Sequence, residues 1–293
     1  MSTSREIIKR RKSVGNIHKI TRTMEMIATA RFKKAHNRAV GAKPYTEKIT
    51  QLVATLSTAA EGIEHPLLRK NEEAHRTIVL VLTSNRGLCG GYNGNIIRLA
   101  ARQIELLRNA QREIDLRVSG KKGMGALRFM GHTISRSYTE FDEKTTYEAV
   151  EARADEYIDL YRHGEIDAVR VVYTRFVSSA RHYAEVTGLL PLVGLIEEPE
   201  GGKPAVPVEE YIYSPTAEEI MNELIPTMVR TELFQCFIDA IVSEQVARMN
   251  AMHAATDNAE QMIRALTRHY NRARQSNITS ELLDILGGAE ALR

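Results

Sequence analysis

The chain has no tryptophan and only two cysteines, and aromatic residues make up just 6% of its 293 positions. That scarcity excludes an aromatic-rich sandwich and the stacking platforms that hold single-stranded nucleic acid. Cys89 and Cys236 lie far apart and in no metal-like spacing. A disulfide framework and a zinc site are therefore not expected, and a reducing compartment fits. No apolar run reaches the ~18–20 residues of a membrane span. The N-terminus reads as neither a signal nor a transit peptide. Instead "TSRE" reads as a capping box, with Thr3 as N-cap and Glu6 reaching back. A helix is thus expected from residue 4, at the mature end of a cytosolic protein.

Catalytic signatures are missing as well. There is no G-x-S-x-G, no H-E-x-x-H and no EF-hand loop. The nine histidines are scattered, with His18 and His36 near the start and His253 and His269 near the end. They read as helix-surface or seam residues. Acid pairs such as Glu72-Glu73 and Glu197-Glu198 fall in loops, where solvation is the default. No catalytic residue, cofactor or metal ligand set is expected.

What is present is a charge asymmetry. From Met1 to Lys48 there are 13 Lys/Arg against three acids, Glu6, Glu25 and Glu47. From Glu209 to Leu286 there are six Arg against 12 acids. Each end asks for a partner of opposite charge, and the nearest is the other end.

Three periodicities divide the chain. Residues 1–60 carry apolar positions at Ile7, Val14, Ile17, Ile20, Met24 and Ile27, a narrow helical stripe of the coiled-coil kind. Pro44 predicts a kink. Residues 74–195 change period. "RTIVLVLT" and "DAVRVVYTRF" are β-branched runs, "IDLRVSG" and "HTISRSY" are shorter candidates, and helical stretches alternate with them. That order predicts a small, largely parallel sheet with helices on its faces, closed by "AEVTGLLPLV" as an antiparallel edge. Residues 196–213, rich in Pro, Gly and Glu, read as a linker. Residues 214–293 are helix-compatible, with a stripe through Phe234, Ile238, Ile241, Gln245, Met252, Ala255, Ala259, Met262, Leu266 and Ala273. Gly287-Gly288 predicts the stop.

Long helices with exposed seams need covering. The expected fold is α/β: a long antiparallel coiled coil of the N- and C-terminal helices plus a small Rossmann-like α/β domain. The last helix outruns the first by ~20 residues at 1.5 Å per residue. Its tip, with Leu282, Leu283, Ile285 and Leu286, needs a socket in another protein.

"TSNRGLCGGYNGN", directly after a strand, raises a nucleotide-binding reading. Glycines at 87, 90, 91 and 94 satisfy neither the dinucleotide fingerprint nor the P-loop, and no lysine follows. In "SGKKGMGALR", Arg128 stands where a third glycine belongs. The expectation is two tight strand-to-helix turns whose glycines permit close packing, with Arg86 at a loop tip able to grip a partner's acid. The alternative, a nucleotide-binding middle domain with an oligomerisation arm, stays open. So does a nucleic-acid-binding coiled coil, though the Ile/Val/Met stripe commits one face of the basic helix to packing.

Three blocks resemble signatures of the gamma subunit of rotary F-type ATP synthases. They are "SVGNIHKITRTMEMIATARFKKA", "LTSNRGLCGGYNGNI" and "EQVARMNAMHAATDNAEQMI…YNRARQSNITSELLDILGGAEAL", in that family's order over nearly the whole chain. The resemblance implies a non-catalytic central stalk turning inside a hexamer of alpha and beta subunits, with its foot on the membrane ring of c subunits beside the epsilon subunit. It implies that Lys19, Arg22 and Met24 face acidic levers of the beta subunits. Arg274 and Gln275 would hydrogen-bond a beta-subunit loop, with Thr279 and Glu281 just beyond. Tyr45, Tyr211, Tyr213 and Ser214 would lie near the ring and epsilon subunit, Ser214 where some relatives carry an acid. No nucleotide or nucleic acid binding is implied, and a bacterial inner membrane, on its cytoplasmic side, is the expected home.

Overall fold

The computed structural model describes residues 4–59, 65–69, 71, 75–192 and 216–291. Thr3, the expected N-cap, and residues 196–213, the expected linker, lie outside them, as do Tyr211, Tyr213 and Ser214. In chain order the elements are α1 (Ser4–Ala59), β1 (Arg76–Leu82), α2 (Tyr92–Asn109), β2 (Glu113–Ser119), α3 (Lys121–Phe129), β3 (Arg136–Tyr138), α4 (Tyr147–Arg162), β4 (Ala168–Phe176), β5 (His182–Leu190) and α5 (Ala217–Ala291). They form two compact units, residues 30–247 and residues 1–29 with 248–293.

In the larger unit the strands make one sheet in the order β3-β2-β1-β4-β5. β1 pairs parallel with β2 and β4, β2 pairs parallel with β3, and β5 closes the sheet antiparallel to β4. This is the largely parallel sheet with an antiparallel edge that the alternating order predicts. β1 is central and covered on both faces, so nearly every residue of "RTIVLVL" is buried. That is why it reads as a continuous apolar run rather than an alternation. Ile78, Leu80 and Leu82 point into a core with Val150, Tyr157 and Tyr161 of α4, Ile225, Val229 and Phe237 of α5, and Ile49 and Val53 of α1. Val79 and Val81 point the other way, onto Ile96, Ala100 and Ile104 of α2 and Leu127 of α3.

β2 carries charge where its neighbours carry aliphatics. Arg117 is buried and donates to Asp115 at 2.9 and 3.0 Å and to Glu156 of α4 at 2.6 Å. Its guanidinium lies 5.1 Å from the centre of the Tyr157 ring. Arg136 and Arg153 also reach Glu156, at 2.5 and 3.4 Å. The strand keeps its charges inside because each buried one is answered by hydrogen bonds.

The smaller unit pairs the start of α1 with the last part of α5. Thr21 meets Thr256, Glu25 meets His253, and Arg11 lies over the Tyr270 ring. Rising numbers on one helix meet falling numbers on the other, so the pair is antiparallel, as expected. The seam itself differs from the expected stripe. Ile7, Val14, Thr21 and Ala28 are buried, seven residues apart, with Ala35 continuing the series in the larger unit. Ile17, Ile20 and Ile27 are 51%, 59% and 47% exposed. Strict sevenfold spacing is the signature of a coiled-coil seam, and small Thr and Ala side chains let the helices approach closely. On α5 the stripe holds through Met252 and Ala259, while Met262 is 43% exposed and Ile263 half-buried in its place. α1 runs through Pro44 and α5 through Pro226 without interruption. α5 also passes the expected stop at Gly287-Gly288 and ends at Ala291. Glycine in a helix costs about 1 kcal/mol, and the Ala-Glu-Ala that follows favours continuation.

Candidate functional site

The first candidate is the end of α5. Every described side chain from Arg274 to Leu286 is exposed. Ile278, Leu282, Ile285 and Leu286 follow each other at helical spacing and are 46%, 55%, 68% and 64% exposed, with Leu283 at 63% beside them. Arg274, Gln275, Thr279 and Glu281 stand among these apolar residues, and the Thr279 hydroxyl bonds back to the Gln275 carbonyl at 2.9 Å. Such a surface combines an apolar anchor with donors and acceptors, the make-up of a protein-binding patch.

On α1, Lys19 and Arg22 are exposed and Met24 is half-buried. At 100° per residue, Met24 falls with Ile17, Ile20 and Ile27 on a face beside the seam. Lys19 and Arg22 fall nearly opposite that face. The structure therefore does not bring these three residues to one surface. Nor does it join them to Arg274: Thr256, opposite Thr21, is 18 positions before Arg274, about 27 Å along the helix. Arg22 leans on Glu25 at 3.5 Å, and Glu25 also reaches His253 at 3.0 Å. The isoleucine face was read from the sequence as seam; its exposure marks it as a second apolar surface of the helix pair. The signal that separates the two is the buried series at intervals of seven.

The glycine loop after β1 is the third candidate. Two of its donors are used within the protein. The Ser84 amide donates to Asn93 Oδ1 at 3.0 Å, and the Ser84 hydroxyl donates to the Arg86 carbonyl at 2.6 Å. The first amides of α3, where a phosphate would sit, are taken as well. Lys121 N donates to Asn85 Oδ1 at 3.2 Å, Lys122 N to the Ser84 carbonyl at 3.1 Å, and Gly123 N to Thr83 Oγ1 at 3.0 Å. A Cβ on Gly120 would lie 2.1 Å from the Thr83 carbonyl oxygen, and one on Gly123 would lie 2.5 Å from Thr83 Oγ1. These two glycines permit close packing against Thr83, as expected of the second loop, whereas in the first loop Gly87 and Gly91 meet only ordinary contacts and Gly94 meets nothing within 4 Å. At the loop tip Arg86 is exposed, and Leu88 is 60% exposed at a φ of 64°. A leucine held in the left-handed region and pointed at solvent was not foreseen; αL leucine is uncommon and concentrates at functional loops.

Tyr45 is 58% exposed, on α1 in the larger unit. An open cleft at the end of α4, lined by Arg69, Asn71, Tyr161, Arg162 and His163, contains none of the expected site residues. Among the described residues no cluster of three or more His, Cys, Asp or Glu is arranged to hold a metal ion, and no helix is long and apolar enough to cross a membrane.

A family model described as ATP synthase matches residues 3–292. The ATP synthase gamma chain of Rhodopirellula baltica is 47% identical over 294 residues, covering 100% of this chain and 99% of that relative. The gamma chain of Leptospira biflexa is 38% identical over 292 residues, covering 100% of both. The chain belongs to the ATP synthase gamma chain family. It is accordingly a central-stalk subunit of an F-type ATP synthase and not one of its catalytic subunits. Solved structures share its fold. A chain of the Euglena gracilis mitochondrial ATP synthase structure titled OSCP/F1/c-ring, rotational state 3, aligns with a TM-score of 0.65 at 18% identity, over 99% of this chain and 94% of that one. A chain of the Tetrahymena thermophila central stalk and c-ring structure aligns with a TM-score of 0.56 at 19% identity, over 80% and 99%.

Proposed function

We propose that this gamma-family chain acts as the rotor shaft of its synthase and that the end of α5 is its bearing in the catalytic hexamer. The observation that carries the reading is the bare apolar tip. Ile278, Leu282, Leu283, Ile285 and Leu286 stay exposed on a helix that has passed the level of its coiled-coil partner. A ring of alpha and beta subunits supplies the socket they need. Arg274 and Gln275 grip a beta-subunit loop, Arg because its planar fork meets carboxylates bidentately, and Thr279 and Glu281 extend that contact. One turn of the shaft presents Lys19 and Arg22, and then the face of Met24, Ile17, Ile20 and Ile27, to successive beta subunits. Rotation changes which contacts each subunit makes and so which nucleotide-site state it favours. The loop tip at Arg86 and Leu88 is a further contact, a cation beside an exposed apolar anchor.

At the other end the chain stands on the membrane ring of c subunits with the epsilon subunit, through Tyr45 and the segment of Tyr211, Tyr213 and Ser214. Its place is the cytoplasmic side of a bacterial inner membrane, peripheral to it, a reading supported by the likeness to the Rhodopirellula baltica and Leptospira biflexa gamma chains. Ion flow through the ring turns the shaft, and ATP is made or hydrolysed in the hexamer. The shaft reading needs no nucleotide on this chain, and it is supported by the amides of Ser84, Lys121 and Gly123 already bonding Asn93, Asn85 and Thr83.

The test is ATP hydrolysis by the chain mixed with matching alpha and beta subunits, with and without residues 274–293. The expected result is a stable assembly with sustained turnover for the full chain and weaker assembly or turnover for the truncation. A full chain that neither joins the hexamer nor alters its rate would overturn the reading.

A further inference from the structure

In the larger unit, charged contacts from both long helices converge on one short segment, α4 with the residues that lead into it. From α1, Arg31 reaches the Glu143 carboxylate at 2.9 Å, while Arg38 donates to the Glu143 carbonyl at 3.0 Å and to the Thr145 carbonyl. From α5, Arg230 reaches Asp155 at 2.6 Å and Glu151 at 3.7 Å. Ring contacts reinforce the same place: Tyr147 meets Phe234 at 5.4 Å between centres, and Phe141 meets Phe237 at 4.6 Å.

From this convergence we infer that residues 141–155 are a torsional joint between the α/β layer and the two long helices, with Arg38 and Arg230 as the positioning residues that hold its angle. The inference rests on the rotor reading above. In a shaft under torque, a force on the α/β layer reaches α1 and α5 as shear across their interface. Apolar packing is non-directional and resists sliding only through shape. A guanidinium bonded to two backbone carbonyls, or to carboxylates one turn apart, fixes direction as well as distance. Gripping both helices from one element keeps them from rotating independently under load. Partly exposed ion pairs of this kind add little to folding stability. Their contribution is therefore to be read in stiffness rather than in melting.

The experiment uses the full chain assembled with matching alpha and beta subunits, the hexamer fixed to a surface and a gold rod on the α/β layer. Phe129→Cys gives the attachment point, because Phe129 is 94% exposed on α3 and both native cysteines are buried. Angular fluctuation of the rod is recorded in a complex stalled with a non-hydrolysable nucleotide. Arg38→Gln with Arg230→Gln should widen the angular variance roughly two-fold, the two forks being the strongest directional contacts of the joint, while unloaded hydrolysis stays unchanged. Exchanging the partners, Arg230→Asp with Asp155→Arg, should bring the variance back toward the parent value in an otherwise intact chain. An unchanged variance in the double variant overturns the joint and leaves the rotor reading standing. A parent assembly that neither hydrolyses ATP nor turns brings both down.

Discussion

Thr21 and Thr256 meet hydroxyl to hydroxyl, 2.9 Å apart and buried, although 235 positions separate them in the chain. Thr21 donates to the His18 carbonyl at 3.1 Å, so its oxygen accepts from Thr256, whose single proton is shared between Thr21 and the Met252 carbonyl at 2.8 Å. The pair sets the register of the coiled coil at a level with no bulky side chain. Replacing one threonine by valine removes the cross-helix bond but leaves the other hydroxyl its own carbonyl. The expected loss for Thr21→Val or Thr256→Val is about 1 kcal/mol. The double variant should cost less than the sum, since no polar group is then left half-satisfied. Denaturant unfolding of the four chains checks this, and simple additivity would show that the hydroxyls do not interact.

Much of this architecture was legible in the sequence, for reasons that can be named. β1 and β4 are buried on both faces, and their β-branched runs say so directly. The antiparallel pairing followed from opposite charge at the two ends. The seam was legible at Ile7 and Val14 but not beyond, because apolar content points on to Ile17, Ile20 and Ile27 while the interface takes Thr21 and Ala28. Close helix approach at those two levels favours small side chains, and Ile17, Ile20 and Ile27 face elsewhere. The Arg117 network was missed because its members, Asp115, Arg117 and Glu156, meet only once β2 and α4 are packed. A local trace did exist: an acid and an arginine two apart inside "EIDLRVS" share one face of a strand whose neighbours are aliphatic. At the tip, exposure of Leu282 and Leu286 was foreseen from helix length alone.

The network gives a second prediction. Arg117→Met leaves Asp115 and Glu156 with a partner missing at a buried site, and should cost about 3–5 kcal/mol. Arg117→Lys should recover only part, since an ammonium cannot serve both carboxylates with a planar fork. The midpoint of urea unfolding distinguishes the three chains. Equal stability of the Lys variant and the parent would reduce Arg117 to a simple charge.

The glycines of the second loop should separate cleanly. Gly120→Ala puts a methyl into the Thr83 carbonyl and forces alanine to a φ of 97°. A clash against backbone together with a positive-φ penalty should cost roughly 3 kcal/mol or more, seen as loss of soluble, cooperatively unfolding protein. Gly125 has nothing within 4 Å of its would-be Cβ and sits inside α3. Gly125→Ala should therefore stabilise by about 1 kcal/mol at most. Equal tolerance at both positions would remove the packing account of the loop and reopen it as a ligand site.

The tip should behave as a surface waiting for a partner. Leu283→Ser with Ile285→Ser should leave the melting of the isolated chain within about 0.5 kcal/mol, as expected of exposed positions. The same pair should lower its self-association in light scattering. In the hexamer, each lost anchor removes about 1.5–3 kcal/mol of burial, so affinity should fall by at least about a hundred-fold. Titration of fluorescent chain with alpha and beta subunits gives the value. Unchanged affinity would place the bearing elsewhere on the shaft.

Stability should also depend on pH through Asp239 of α5. Burial pushes its carboxyl up from 3.8 to about 6, against the pull of Gln235, the Phe176 amide and Arg175, and Glu185 adds to the rise. Glu232, which repels Asp239, is raised by burial too. The folded chain then holds the Asp239 proton more tightly than the unfolded one. Between about pH 4 and 6 stability should rise as pH falls, and above pH 6 the cost of the buried charge is carried in full. The gap from 3.8 to about 6 corresponds to at most about 3 kcal/mol. Asp239→Asn should relieve that cost while keeping the contact with Gln235, because the Asn Oδ1 can accept from Gln235 Nε2 as Asp239 does now at 2.8 Å. The variant should thus be more stable than the parent at pH 8, by up to that amount, and the advantage should shrink to nothing toward pH 4. Thermal melts of both chains across this range decide it. An advantage independent of pH would mean that packing, and not the charge of Asp239, separates them.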